Sequence, residues 1–392
     1  MNVLRLKRRE ERRVLAGHGW IFSNEIDTDA TPLKGLEPGS DAVIEGSDGR
    51  FVAHAYVNPA SLISARVTGR RRNRPFDDEA LRARLNKALA LRERRYSGPW
   101  YRWVYSEADG LPGLVIDRYD DIAVVQVSTA GMEQRLDAVI AAIKDTTDIR
   151  SVLLRNDAAV RELEGLSSYR RWEGESRDVL SVVENELRFE VPSELSQKTG
   201  WFYDHRETRR TLRDWVKGRR VLDLYSYAGA FAINAAAAGA TEVLAIDSSA
   251  SATAAIEANA ALNEVSDRVS VRTGDVVTCL RELQEVSELF DVVVLDPPAF
   301  VKRRRDRDAG MKEYGRVNRL AMKLLSPDGL LVSASCSQSV DEDAVVGVLR
   351  RNLPRERDLL QVLGSVTQAP DHPVHPAMPE TRYLSGVIAR IA

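Results

Sequence analysis

Cys336 follows a short apolar run, Leu330 to Ser335, and is flanked by the hydroxyls of Ser335 and Ser337. A thiol at such a point can serve as a nucleophile once deprotonated. A lone cysteine is more often an inert small residue, and Cys279, inside an apparent helix, suits that description. Asp296 opens the run Asp296-Pro297-Pro298-Ala299-Phe300. Two prolines fix the backbone and remove two N–H donors. Carbonyls and the Asp296 carboxylate are left to meet a planar, donor-bearing group, with Phe300 available for stacking. The competing description is a rigid turn and nothing more. Asp223, Asp247 and Asp275 also follow apolar runs in this half of the chain.

Position is what makes these residues informative. From about Asn185 the pattern predicts strands over Arg219 to Tyr225, Glu242 to Asp247, Val269 to Val271, Phe290 to Leu295 and Leu330 to Ser335. Helical segments alternate with them: Phe231 to Ala238, Ala250 to Leu262, Val276 to Val286 and Gly310 to Leu325. Such alternation means βαβ units and a parallel sheet with helices on both faces, a Rossmann-like α/β fold. Ligands then bind beyond the carboxyl ends of the strands.

The first strand runs on through Tyr225, Ser226, Tyr227 and Ala228 to Gly229. A dinucleotide fold wants G-x-G-x-x-G here, and only Gly229 is present. Asp223 would repel a pyrophosphate but suits a cation, such as the sulfonium of S-adenosylmethionine (SAM); a helix cap or turn is the alternative. Asp247 could accept two hydrogen bonds from a ribose diol, and Asp275 one from an adenine amino group. Acids at successive strand ends point to a nucleoside, SAM rather than NAD.

A chain of 392 residues exceeds one core. A small β-rich module is expected at 1–74, a mixed α+β domain at 75–184 and the alternating region at 185–392. The first part expects strands over Asp41 to Ile44, Gly49 to Tyr56 and Leu62 to Val67, closed by the charge run Gly69 to Pro75. The second expects a helix over Asp78 to Tyr96, a hairpin of Leu114 to Arg118 with Ile122 to Val127, and a helix over Met132 to Lys144. Lys plus Arg number 56 against 58 Asp plus Glu, a net charge of −2. That excludes a globally basic nucleic-acid binder, though not local patches. Two cysteines exclude a disulfide scaffold and suit a reducing compartment. With no apolar leader and no run near the ~18 residues of a membrane span, a cytoplasmic protein is expected.

These motifs resemble a known family, SAM-dependent RNA methyltransferases of the RlmI type, which make 5-methylcytosine in large-subunit ribosomal RNA. The matching residues are Gln197 to Arg206, Tyr225 to Phe231, Asp296 to Phe300, Ser335 to Ser337, Asp371 to Pro373 and Pro379-Glu380. Upstream, Gly17 to Ser23 looks like the opening of that family's RNA-binding PUA domain, and Glu107 to Leu114 with Asp117 to Tyr119 is similar to its central domain. The resemblance implies SAM held by Gln197, Lys198, Asp204, Arg206, Asp223, Tyr225, Ser226, Gly229, Asp247, Asp275 and Asp296, with no metal. It implies Cys336 as nucleophile on a cytosine polarised by Asp296. RNA would be held by Pro297, Phe300, Arg303, Arg304 and Arg305, and by Arg70, Arg71 and Arg72. Ribosomal RNA is the implied partner, and a homodimer is carried as an open expectation. Members often have Gln where His205 stands and Lys where Ala299 stands; His205 is given no ligand role. Methylation of a base nitrogen, which leaves Cys336 idle, and a non-catalytic RNA-binding assembly factor remain the alternatives.

Overall fold

The computed structural model describes residues 2–194, 199–301 and 303–392. Backbone contacts group them into two compact units, the first built on Met1–Arg177 with Asp371–Thr381, the second on Asp178–Ser196, Gly200–Pro370 and Arg382–Ala392.

The first unit holds two five-stranded sheets. One includes Asp41–Glu45, Phe51–Val57 and Ala65–Gly69. The third of these starts later than its apolar pattern suggests, because Asn58 to Ser64 closes a turn in which Asn58 N–H donates to the Ser64 carbonyl at 2.9 Å. The second sheet contains the expected hairpin, Leu114–Tyr119 with Ile122–Val127, paired antiparallel. Helix Asp78–Glu93 covers it, capped by Asp77 accepting from Ala80 N–H. The helix expected over Met132 to Lys144 is instead two, Ala130–Glu133 and Leu136–Thr146. Arg135, at the break, pairs with Asp41 at 2.6 Å.

The second unit is the alternating region. Its strands are β1 (Arg220–Leu224), β2 (Glu242–Asp247), β3 (Val269–Thr273), β4 (Phe290–Leu295), β5 (Leu325–Ser335), β6 (Leu360–Thr367) and β7 (Ser385–Ile391), in the order β3-β2-β1-β4-β5-β7-β6. β1 to β5 run parallel, and β7 inserts antiparallel between β5 and β6. Val221, Leu222, Val293, Val294 and Leu295 are fully buried, as a sheet covered on both faces requires. Helices α1 (Ala230–Ala237), α2 (Ala250–Leu262), α3 (Val276–Glu285), α4 (Arg307–Met322) and α5 (Glu342–Asn352) fill the crossovers. α4 stops short of the expected Leu325, because Leu324 and Leu325 join the sheet: Phe290 N–H donates to the Leu324 carbonyl and Phe290 pairs with Leu325. No described helix is long and apolar enough to cross a membrane.

A hairpin, Val179–Glu184 with Leu187–Pro192, leads into this unit. Its Glu184 is wholly buried and receives Arg209 Nη2 at 2.8 Å, Trp201 Nε1 at 3.2 Å and Arg206 Nε at 3.4 Å. Burial alone would raise the Glu184 pKa; the Arg209 and Arg206 guanidiniums outweigh it, and the net shift is downward. A depressed folded-state pKa contributes stability above the unfolded value, lost as pH falls through the folded one. Glu184→Gln leaves two guanidiniums without their carboxylate and should cost about 3–5 kcal/mol in urea unfolding. The difference from wild type should shrink in the acid range, where the wild-type carboxylate takes up its proton.

Candidate active site

Strand register brings the expected acids to one edge. β1 Leu224 pairs with β2 Ile246 and β4 Leu295, so Tyr225, Asp247 and Asp296 stand level, one residue beyond that line. Leu295 in turn pairs with β5 Ser333, which sends Cys336 out on the same edge.

The turn after β1 is strained and held from both sides. Tyr225 and Tyr227 have φ of 62° and 53°, each a left-handed conformation costing on the order of 1–3 kcal/mol for a bulky residue. Ser226 Oγ donates to Asp223 Oδ2, Ser226 N–H donates to the Ile246 carbonyl at 3.1 Å, and Tyr227 N–H donates to Asp247 Oδ2 at 3.0 Å. Asp247 Oδ1 accepts Ser249 N–H at 2.9 Å. Gly229 then caps α1 at φ 80°, where a Cβ would meet Ile256 at 3.0 Å and Ile233 at 3.1 Å. Asp275 caps α3, its Oδ1 accepting Thr278 N–H and Oγ1 at 2.9 Å each; these bonds lower its pKa.

Asp223 is 1 % exposed. Its Oδ2 also accepts Ala232 N–H at 3.1 Å, while Oδ1 is buried with no partner among the described residues. Burial is the largest cause of a pKa pushed up to about 7; the Ser226 and Ala232 bonds oppose it, and the Asp296 and Asp247 charges add to it.

On the other side of the edge, Cys336 Sγ lies 3.8 Å from the Pro297 carbonyl. Its loop is anchored from beneath. Ser335 Oγ is 2.8 Å and Ser337 Oγ 3.0 Å from the Tyr314 hydroxyl, and Val301 N–H donates to Ser337 Oγ at 3.2 Å. Tyr314, on α4, was not singled out in the sequence. Its one-turn spacing from the buried Asn318, which bonds Ser333 Oγ at 2.7 Å, is the available signal. Cys279 is 3 % exposed, and burial raises its thiol pKa. His205, given no role above, is buried with Nε2 3.1 Å from Asp296 Oδ1.

Other expected residues have different surroundings. Arg206 belongs to the Glu184 cluster and stacks over Tyr203 at 5.1 Å. Asp204 accepts the Tyr383 hydroxyl. Phe300 is half-buried, edge-on to Tyr314 with ring centroids 4.8 Å apart. Pro297 is buried, and Arg303 and Arg305 are exposed. Gln197, Lys198 and the side chain of Arg304 lie outside the described residues.

In the first unit the basic run borders a groove of about 910 Å³, with Arg71 and Arg74 on one side and Lys87 and Arg94 of helix Asp78–Glu93 and its C-cap on the other. The groove's acids are engaged internally: Glu107 with Arg66 at 2.9 Å and Asp109 with Arg92 at 2.7 Å. Arg70 bonds the Gly17 and His18 carbonyls at 2.7 and 3.1 Å, and burial lowers its pKa. Arg72 turns away over the Phe51 ring at 5.8 Å.

A family described as S-adenosylmethionine-dependent methyltransferase matches residues 150–381, and a PUA-like domain family matches residues 4–70. Ribosomal RNA large subunit methyltransferase I of Erwinia tasmaniensis is 32 % identical over 98 % of both chains, and that of Tolumonas auensis 34 % over 98 % of both. The chain belongs to this methyltransferase family. A solved methyltransferase carrying SAH has the same fold, with a TM-score of 0.85 at 18 % identity over the whole of both chains.

The family's cofactor is SAM, and the residues of the β1–β2 edge fit it. Asp247 offers acceptors already oriented by backbone donors, and Asp223 has an oxygen with no partner among the described residues. Because the folded-state pKa of Asp223 is raised, its contribution to stability is present below the unfolded pKa and is lost as pH rises through about 7. Asp223→Asn has no proton to lose. Between about pH 5 and about pH 8 the urea midpoint of the cofactor-free wild type should therefore fall further than that of the variant.

Proposed function

We propose that the protein methylates carbon 5 of a cytosine in large-subunit ribosomal RNA through a covalent adduct with Cys336. The observation that carries the reading is the 3.8 Å approach of the Cys336 thiol to the Asp296-Pro297 turn. A nucleophile and a carboxylate then meet one flat ring from the same strand edge. The names of the relatives support ribosomal RNA as the substrate class.

Carbon 5 of cytosine is a weak nucleophile, so the chain's residues must first change the ring. Cys336 adds to carbon 6 as the thiolate. Asp296 bonds the amidine edge and delivers a proton to the ring nitrogen, which neutralises the negative charge that thiolate addition places there. Asp223, Asp247 and Asp275 would hold SAM, which would supply an electrophilic methyl for the enamine-like carbon 5, with S-adenosylhomocysteine as the leaving group. A base, Asp296 or a water, then takes the carbon 5 proton, the Cys336 thiolate is expelled, the ring nitrogen gives up its added proton, and aromaticity is restored. The target base must leave its stack to reach this edge.

Residues 1–74 and 75–184 serve in this reading to hold RNA, and 185–392 to carry out the chemistry. The groove supports that division, since Arg71, Arg74, Lys87 and Arg94 have no acidic partner among the described residues and suit a phosphodiester backbone. Replacing Arg71, Lys87 and Arg94 together by Glu should weaken RNA binding and flatten its dependence on log salt by roughly 0.7–0.9 per lost phosphate contact, with SAM affinity unchanged. Filter binding across a salt series measures both the affinity and the slope.

RNA carrying 5-fluorocytosine at the target should trap the protein, because fluorine cannot leave as a proton does. Trapping should require SAM and Cys336. Cys279→Ala should trap normally. Cys336→Ala should keep its fold and SAM affinity, but lose turnover by on the order of a thousandfold or more. Near wild-type methylation by Cys336→Ala would move the reading to transfer onto a base nitrogen.

A further inference from the structure

The proposed chemistry uses one carboxylate and one thiol and leaves a buried imidazole unexplained. His205 is 2 % exposed, at the N-terminal end of helix Arg206–Leu212, with its ring edge-on to Phe231 at 5.5 Å. Nε2 lies 3.1 Å from Asp296 Oδ1. Nδ1 is buried with no partner among the described residues. Burying a nitrogen without a partner disfavours the fold. A Phe or Leu would fill the same volume without that cost, so the ring's place in the fold is explained by what Nε2 does.

We infer that His205 is a positioning residue: Nε2 holds Asp296 Oδ1, and the second carboxylate oxygen is left for the pyrimidine. Asp296 needs such a hold. The prolines that follow it remove the two nearest N–H donors, and its side chain is 23 % exposed, so water competes for its orientation. One rigid donor on a ring packed against Phe231 removes the rotamers in which the carboxylate turns to solvent. A misplacement of about 1 Å can cost on the order of 100-fold in rate. The inference rests on the Asp296 assignment of the proposed function.

The test compares three full-length variants in steady-state methylation of ribosomal RNA, with SAM affinity by calorimetry and thermal midpoints as controls. His205→Leu keeps the volume, deletes the unpartnered nitrogen and has no donor. It should bind SAM and RNA with wild-type affinity and lose kcat by roughly 10- to 100-fold, with little change in KM. His205→Gln restores an N–H donor of similar reach and should recover most of that loss. Asp296→Asn should be at least as impaired as His205→Leu. If His205→Leu turns over like wild type while Asp296→Asn is dead, the carboxylate works unaided and the inference is overturned, with the proposed function intact. If Leu and Gln are equally impaired, a donor at this position is not what matters, which also overturns it. If Asp296→Asn itself turns over like wild type, the Asp296 assignment falls and takes the inference with it.

Discussion

A carboxylate in the floor of the sheet edge sets the geometry of everything above it. Asp223 sits in β1 with both faces of the sheet covered, and burial favours its protonated form. Its Oδ2 collects the Ser226 hydroxyl and the Ala232 amide, which ties the last residues of β1 to the first turn of α1. Between these ties the chain must pass through Tyr225 and Tyr227 with positive φ, a path that two tyrosines would leave if released. Asp247 takes the Tyr227 amide and closes the turn from the neighbouring strand. Two acids thus stabilise a backbone shape, and these bonds offset their mutual repulsion across adjacent strands.

The side of the edge that carries Cys336 is built by a different device. The parallel pairing of β4 with β5 delivers the Asp296 turn and the Cys336 loop to one edge of the sheet, Cys336 two residues beyond the level of Asp296, and hydroxyls lock the loop from below. Tyr314 touches both serines that flank the thiol. Ser335 and Ser337 point into this network, so the thiol between them faces the other way, toward the Pro297 carbonyl. Cys279 has no comparable setting; it is a small apolar residue of α3 packed in the core.

In the first unit, charge by itself is a poor guide to function. Arg92, Arg102 and Arg161 are buried and paired with Asp109, Asp117 and Glu133, so they hold the fold. Arg70 and Arg72, read from the sequence beside Arg71 as one basic run, are drawn to carbonyls and to a ring. What remains for an anion is set by which acids are already engaged. Lys87 and Arg94, nowhere prominent in the sequence, become relevant because their helix forms a wall of the groove.

The sequence alone determined the alternation of strands and helices in the second half, and β2, β4 and α2 have the predicted bounds. It did so because burial on both faces demands continuous apolar runs, and each run is local. It also determined that Asp247, Asp296 and Cys336 lie at strand ends, which follows from where those runs stop. Only the tertiary structure decided the order β3-β2-β1-β4-β5-β7-β6, with β7 reversed between β5 and β6. It alone decided that Arg206 serves Glu184, that Tyr314 anchors the thiol loop and that His205 reaches Asp296. Each of these joins residues far apart in the chain. Periodicity carries no information about such pairs, since a buried polar group finds its partner through packing rather than through spacing.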